Sequence, residues 1–220
     1  GPMLMRMATQ IEAAYLAGNT VNHHEVILDE LPHDLAKVVR AGHANREIAD
    51  VVFTLSGELD RVHRNVAAAF VLDTLTDTPI RIYGRGWERY QAKQNPLHEF
   101  HAASTLADSR FQFSSVYGIL DVAPSNDTLH DRTLRAAKFG AGLLISSGWR
   151  RDEPIHRDHA GLFFNGNPDE LRARVAAVRD DPSAHRERVR SFGNALESAF
   201  SFDQFFDRVI SLFHERGITV

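Results

Sequence analysis

The chain has 220 residues, and 25 lysines and arginines against 29 aspartates and glutamates give a formal net charge of −4. This charge gives no electrostatic basis for general binding to nucleic acid or anionic membranes, and the absence of cysteine excludes disulfides, thiol catalysis and cysteine-ligated zinc. No apolar run approaches the ~20 residues that span a bilayer, so we expect a cytoplasmic protein without a membrane span.

The first segment, residues 3–49, is predicted to be a helical lead-in. Apolar residues recur there at helical spacing, and Gly18 and Gly42 follow them as stop signals. The two apolar stripes are Ile11, Tyr15 and Leu16, and then Leu35, Val38 and Val39. The segment has no recognisable catalytic motif, so its expected role is to pack on the following domain or on a protein partner.

A strand, a helix and a second strand are predicted next. Residues 51–55 form a β-branched and aromatic run, an amphipathic helix is expected over 58–75, and Ile80-Arg81-Ile82-Tyr83 has the composition of a strand. The pattern predicts a βαβ unit that ends in Gly84-Arg85-Gly86.

The Gly84-Arg85-Gly86 loop lacks two Cβ atoms, so its backbone could approach a ligand closely. It has neither the third glycine nor the later acid of a dinucleotide fingerprint, which argues against NAD, and the chain has no Walker motif. Two interpretations stay open. The loop grips the phosphate of a nucleotide or sugar, with Arg85 as the countercharge, or it is a plain tight turn.

The region after this loop is less regular, with a helix predicted at 97–107 and a short apolar segment at 111–116. His98-x-x-His101 and His156-x-x-His159 could each place two rings on one helix face. Neither pair has a third ligand in a recognisable pattern, so no metal site is predicted.

A second βαβ unit is predicted over residues 117–147. It consists of an apolar strand, a polar loop, an amphipathic helix that stops at Gly140, and another apolar strand at 143–145. Ligands of open α/β sheets bind at the carboxyl ends of strands, next to helix N-termini that favour anions. The loop over 124–132 is therefore the expected phosphate site.

Four side chains in this loop could act on a phosphate: Asn126, Thr128, His130 and Arg132. They offer amide and hydroxyl donors, an imidazole that can carry a proton, and a guanidinium that matches phosphate oxygens. The simpler alternative is that Asp127 or Thr128 caps the helix while His130 and Arg132 are merely exposed.

The remaining chain predicts a short strand at 161–164 and three helices. The first begins with the cap Asn167 and with Pro168, and the others cover 184–198 and 202–215, the last with a phenylalanine-rich face. The predicted fold class is α/β, a doubly wound parallel sheet of about six strands forming a Rossmann-like domain over 50–220.

The sequence also resembles the C-terminal, donor-binding half of GT-B glycosyltransferases, most closely the spore-maturation and spore-coat group. The resemblance covers about residues 51–212 and begins at Phe53 to Gly57, which is similar to the strand and glycine that open the donor domain. The other resembling stretches are PIRIYGRGW, VAPSNDTLHDRTLRAAKFGAGLLIS, GLFFNGNPDELRARV and SFDQFFDRVISLF. The resemblance implies a nucleotide-diphosphate sugar as donor and no tightly bound cofactor or metal. It places the nucleoside near the Gly84-Arg85-Gly86 loop, and the phosphates near His130 and Arg132, which would be the catalytic residues.

Two differences from the family pattern affect this expectation. Arg135 stands where the family commonly has a glutamate that contacts the ribose, so Arg135 is an expected nucleotide contact of altered chemistry. GT-B enzymes also have an acceptor half of comparable size, and no such half precedes residue 51 in this sequence. It would lie on another chain, or this sequence would be a fragment of a longer protein. The alternative is a non-catalytic, GT-B-derived module that binds a protein through its N-terminal helices and its phenylalanine-rich last helix.

Overall fold

A computed structural model describes residues 1–19, 21–87, 90, 95–103, 116–122, 131–139, 142–146, 154–164, 166–199 and 211. Within these ranges, the N-terminal part is helical and the remainder alternates strands and helices. The helices are α1 Pro2–Leu16, α2 His23–Glu30, α3 His33–Arg40, α4 Arg46–Thr74, α5 Asp131–Phe139, α6 Pro154–Asp158, α7 Pro168–Asp180 and α8 Pro182–Ala199, with a 3₁₀ turn at Ala160–Leu162. The strands are β1 Ile80–Tyr83, β2 His98–His101, β3 Ile119–Asp121, β4 Leu143–Ser146 and β5 Phe163–Phe164.

The described strands form two small parallel sheets. β1 pairs with β2, with Ile80 opposite His98, and the second sheet has the order β3-β4-β5. Ile119 lies opposite Leu143, and Ile145 opposite Phe163. Each parallel pair is joined by a long crossover, as parallel pairing requires.

Helices pack against both faces of the three-stranded sheet. Phe163 and Phe164 are neighbours in β5 and point to opposite faces, because side chains alternate along a strand. Phe164 packs with residues of α1, α4 and α7, whereas Phe163 packs with residues of α5 and α8. The architecture is thus a mixed α/β fold with small parallel sheets; a doubly wound sheet of about six strands stays a prediction.

The N-terminal helices share a core with the first half of α4. Met7, Ile11, Ile27 and Leu59 are fully buried in this cluster. Tyr15 of α1 lies outside this cluster and packs in the core beneath the three-stranded sheet. The helical lead-in therefore packs directly on the α/β region.

The strand predicted over 51–55 is wrong, because these residues lie inside α4. The Asn45 side chain accepts a hydrogen bond from the Ile48 N–H at 2.9 Å and caps the helix upstream of the β-branched run. Val52 and Leu55 then pack on the N-terminal cluster, so tertiary packing overrides β propensity. The first βαβ unit is therefore not formed, and α4 continues without a break across residue 50.

The helix predicted over 97–107 is also wrong at its start, because residues 98–101 form β2. Asn95 explains the change: its amide donates to the Thr76 carbonyl at 2.8 Å and its side-chain oxygen accepts from the Leu97 N–H, which directs the chain alongside β1. His98 and His101 consequently point to opposite sides of a strand, and His98 is buried while His101 is exposed.

The predicted apolar stripes of the lead-in are only partly correct. Ile11 and Tyr15 are buried, but Leu16 is exposed, and Leu35 and Val38 of α3 are each more than a third exposed. Ala36 is the buried residue of α3.

Other predictions are confirmed by the structure. β1, the parallel β3–α5–β4 unit and the helices α7 and α8 lie where the sequence placed them. Of the strand predicted over 161–164, only Phe163–Phe164 is formed, because Ala160–Leu162 is a 3₁₀ turn. Asn167 caps α7, accepting from the Asp169 and Glu170 N–H groups at 2.9 and 3.2 Å. The segment at 111–115 and the predicted terminal helix at 202–215 lie outside the described residues, apart from residue 211.

Candidate functional site

The β3–α5–β4 unit positions the first part of the candidate site. The Ile119 N–H donates to the Gly142 carbonyl at 2.7 Å, which aligns the starts of β3 and β4. A Cβ at Gly142 would lie 2.3 Å from the Tyr117 carbonyl oxygen, so only glycine fits this contact. Because β3 ends at Asp121 and α5 begins at residue 131, the residues between them connect the carboxyl end of a strand to a helix N-terminus.

A buried polar contact lies at the base of this loop. The Thr133 hydroxyl, in the first turn of α5, donates to Asp121 Oδ2 at the end of β3. Asp121 is 2 % exposed and Thr133 is 1 % exposed. Sequence reasoning missed both residues, although a carboxylate within the apolar run Ile119-Leu120-Asp121-Val122 was a signal available in the sequence.

The Gly84-Arg85-Gly86 loop lies at the carboxyl end of β1. The Gly84 N–H donates to the carbonyl of His101, the last residue of β2, at 3.2 Å. Gly84 and Gly86 have φ angles of 154° and 90°, a backbone region that favours glycine. A Cβ at Gly86 would meet no atom within 4 Å, so that side of the loop is open, and the Arg85 side chain is exposed.

An aromatic cluster supports the other side of the loop. The Trp87 ring lies 5.8 Å from the rings of both Tyr90 and Phe100, and its Nε1 would be 3.1 Å from a Cβ at Gly84. The Tyr90 hydroxyl donates to Asp73 Oδ1 of α4 at 2.9 Å. Burial, followed by this hydrogen bond and the Asp73 charge, raises the pKa of Tyr90, which stays protonated at neutral pH.

The predicted site residues are described to different extents. Gly84, Arg85 and Gly86 form the loop described above, and Arg135 is half-buried in α5. Arg132 is the second residue of α5, and its side chain lies outside the description. The remaining predicted contacts, Asn126, Thr128 and His130, fall outside the described residues, so the distance between the two halves of the predicted site stays untested.

The described part of the chain holds neither a metal-binding cluster nor a membrane-spanning helix. No group of three or more histidine, cysteine, aspartate or glutamate side chains capable of holding a metal ion occurs there. Of the predicted histidine pairs, His156 is buried against Phe163, with ring centroids 4.1 Å apart, and His159 contacts Phe192. Within the same residues, no helix combines the length and the apolar character needed to cross a membrane.

Comparison with known families decides the class of protein. The sequence profile described as glycosyl transferase-like matches residues 61–210, which is more than half of the 220-residue chain. The chain belongs to the glycosyl transferase-like family. Neither the comparison with curated proteins nor that with solved structures found a match.

The glycosyl transferase-like region begins inside α4 and extends beyond α8. It therefore contains all five described strands, the Gly84-Arg85-Gly86 loop and the β3–α5–β4 unit. Helices α1 to α3 lie outside the matched residues, although Tyr15 of α1 contributes to the core of the matched region.

Proposed function

We propose that this glycosyl transferase-like chain is a GT-B-type donor domain that binds a nucleotide-diphosphate sugar for transfer to an acceptor. One observation carries the proposal: the family match includes a parallel β3–α5–β4 unit whose loop leads from a strand end to a helix N-terminus. That is where open α/β sheets bind phosphorylated ligands.

The loop before α5 and the first turn of α5, which contains Arg132, would together bind the donor diphosphate. In this proposal Arg132 holds phosphate oxygens through its planar guanidinium, and His130 hydrogen-bonds the phosphate or the sugar. Asn126 and Thr128 add neutral donors. A cationic side chain and a helix N-terminus can together stabilise a departing diphosphate, so a tightly bound metal is not required.

The Gly84-Arg85-Gly86 loop would bind the nucleoside part of the donor. Its open side at Gly86 permits close approach to the backbone. Among the described residues, Arg85 forms no hydrogen bond or ion pair with another side chain, and it is exposed, so its guanidinium is available to a ligand.

In this proposal, Arg135 influences which nucleotide the domain prefers. A guanidinium donates hydrogen bonds and cannot accept them, whereas a glutamate accepts them from ribose hydroxyls. If Arg135 contacts the nucleotide, we expect a preference for donors that present an acceptor, such as a base carbonyl or phosphate oxygen, at this position.

Calorimetric titration with UDP-, GDP-, dTDP- and CMP-sugars tests the proposal. We expect one of these to bind the wild-type chain, and Arg132→Ala to weaken that binding by about tenfold to a hundredfold, the range for a charge-assisted hydrogen bond. Arg188→Ala is a matched control, because Arg188 is an exposed arginine of α8 outside the proposed site. Absence of binding to all four sugar nucleotides at millimolar concentration would reject the donor-domain function, and full binding by Arg132→Ala would reject the phosphate assignment.

A second candidate function is a non-catalytic module that binds a protein. It is favoured by exposed apolar side chains in the first half of α4, next to the N-terminal helices, where Phe53 is 82 % and Val51 is 54 % exposed. If no nucleotide sugar binds in the titration panel, this candidate remains.

A further inference from the structure

We propose that Asp121 is a positioning residue, which through its hydrogen bond with Thr133 closes the base of the donor-phosphate loop and fixes the first turn of α5. This inference rests on the proposed function, because it concerns the same loop. It adds two residues that neither the sequence motifs nor the family match identifies.

The Asp121–Thr133 contact spans the proposed phosphate site along the chain. Asp121 and Thr133 are separated by twelve positions, and a single side-chain hydrogen bond joins them. All four side chains assigned to the phosphate, from Asn126 to Arg132, lie between these two residues. The contact therefore links the point where the loop leaves β3 to the point where the chain has entered α5.

Burial and charge make this contact strong. Both residues are almost completely removed from solvent. A carboxylate pays a large desolvation cost unless it is hydrogen-bonded, and a hydrogen bond to an ionised acceptor is stronger than one between neutral groups. The first turn of a helix also favours a neighbouring acceptor, so this buried hydrogen bond holds the end of β3 against the first turn of α5.

The rest of α5 is held independently by close packing. Ala136 and Ala137 are buried against α8, and a Cβ at Gly193 would lie 3.4 Å from the Ala137 Cβ. These contacts hold the middle of the helix. The Asp121–Thr133 hydrogen bond holds its first turn to the end of β3, next to Arg132, the residue that immediately precedes Thr133.

A purely structural role would have a different consequence. Loss of a structural hydrogen bond lowers the melting temperature but leaves the affinity of the folded protein for a ligand unchanged. Loss of a positioning contact also loosens the first turn of α5 and lowers affinity in protein that is still folded. Part of the binding free energy of a phosphate ligand is then used to order the turn.

The test compares Thr133→Ser, which keeps the hydroxyl, with Thr133→Val, which keeps the shape and removes it. Thr54→Val is the matched control. The Thr54 hydroxyl also donates a hydrogen bond within a helix, to the Asp50 carbonyl at 2.8 Å, but it lies on the exposed surface of α4. Each variant is measured below its melting temperature by amide hydrogen exchange over residues 131–134 and by titration with the UDP-, GDP-, dTDP- and CMP-sugars.

We expect Thr133→Val to exchange at least tenfold faster at residues 131–134 and to bind the donor about tenfold more weakly at unchanged stoichiometry. Thr133→Ser and Thr54→Val should match the wild type in both measurements. Unchanged exchange in Thr133→Val would overturn the inference, and so would faster exchange with an unchanged donor affinity.

The same experiment separates this inference from the proposed function. If the wild-type chain binds none of the sugar nucleotides, the donor function fails, and the exchange measurement alone decides whether Asp121 and Thr133 fix the turn. If the wild type binds a donor and Thr133→Val binds it equally well, the proposed function stands and the positioning role is wrong.

Discussion

Two buried histidines face each other in the N-terminal helices. His23 Nε2 of α2 lies 3.1 Å from His63 Nδ1 of α4, and the Tyr15 ring of α1 packs edge-on against His63. Burial, and secondarily the charge of His23, lowers the pKa of His63 to about 4. His63 is therefore neutral at neutral pH, and its ring can share one hydrogen bond with His23, with one ring donating and the other accepting.

This pair predicts an acid-sensitive stability. His63 binds a proton near pH 6.5 in the unfolded chain but only near pH 4 in the folded chain, so its contribution is complete above pH 6.5 and is lost as the pH falls from 6.5 towards 4. At pH 5 the loss for this one group is about 2 kcal/mol.

Urea unfolding at pH 7.5 and at pH 5 measures the effect. The His63→Gln variant is the comparison, because glutamine keeps a hydrogen-bonding group that does not titrate. The free energy of unfolding should fall more steeply with acid in the wild type than in His63→Gln, and equal pH slopes would contradict the assignment.

Gly142 gives a steric prediction at the same scale. A Cβ there would lie 2.3 Å from the Tyr117 carbonyl oxygen and 3.1 Å from the Gly118 Cα, both backbone atoms. Gly142→Ala must displace a strand start and should lower the free energy of unfolding by about 1–3 kcal/mol, the usual range for overpacking.

Gly57→Ala provides the control for Gly142→Ala in chemical denaturation. Gly57 lies in α4, and a Cβ there would meet nothing within 4 Å. Its replacement should stabilise the chain by about 0.5–1 kcal/mol through helix propensity. Destabilisation by both substitutions would contradict the steric explanation.

At the scale of elements, α4 is the largest departure from the sequence prediction. The run Val51-Val52-Phe53 has strand-forming composition, but the helix begins at Arg46 and passes through it. Val52, Leu55 and Leu59 share one helical face that packs on α1 and α2, whereas Phe53 projects outward and is 82 % exposed. A strand would have placed residues 51, 53 and 55 on one face instead.

Two substitutions in α4 test this helical arrangement. Phe53→Ser should change the free energy of unfolding by less than about 0.5 kcal/mol, as expected of an exposed site. Leu59→Ala should cost about 2–5 kcal/mol, because Leu59 is fully buried. Urea denaturation of both variants gives the values, and a large loss in Phe53→Ser would indicate that this face is covered.

At the scale of the whole molecule, the N-terminal helices are joined to the glycosyl transferase-like region by close backbone packing. A Cβ at Gly166, just after β5, would lie 2.1 Å from the Tyr15 carbonyl oxygen and 2.8 Å from the Leu16 Cα. Tyr15 also packs with Phe70 and Phe164 in the core beneath the sheet. Through Tyr15, α1 is thus part of the core of the family-matched region.

Gly166→Ala should therefore destabilise both parts together. The expected loss is about 1–3 kcal/mol, because α1 must move away from the sheet to admit the methyl group. Gly161→Ala is the control, since a Cβ there meets only the end of the Arg174 side chain at 3.7 Å. Far-ultraviolet circular dichroism and tryptophan fluorescence should give one shared, lowered midpoint in Gly166→Ala; separate midpoints would show that the N-terminal helices fold independently.

Sequence patterns located much of the framework around the candidate site. The apolar runs of β1, β3, β4 and β5 and the Asn167 cap of α7 depend on neighbouring residues, so they were predictable from local order. The two glycines after β1 were also correctly placed at a strand end.

The wrong secondary-structure predictions and the missed contact at the candidate site have one physical cause. Residues 51–55 and 98–101 were assigned by local composition and spacing, but contacts with distant elements determined their conformation. The Asp121–Thr133 contact was missed because its members lie on different elements, and no local period relates them.

By itself, the sequence determined the class of this protein, a glycosyl transferase-like α/β chain, and the places of β1, β3 and β4, because those depend on periodicity and residue type. Only the tertiary structure decided that residues 51–55 are helical, that α1 belongs to the sheet's core, and that Asp121 meets Thr133 at the base of the loop. Such contacts form when burial of apolar surface and satisfaction of buried polar groups outweigh local propensity, and both depend on residues far apart in the chain.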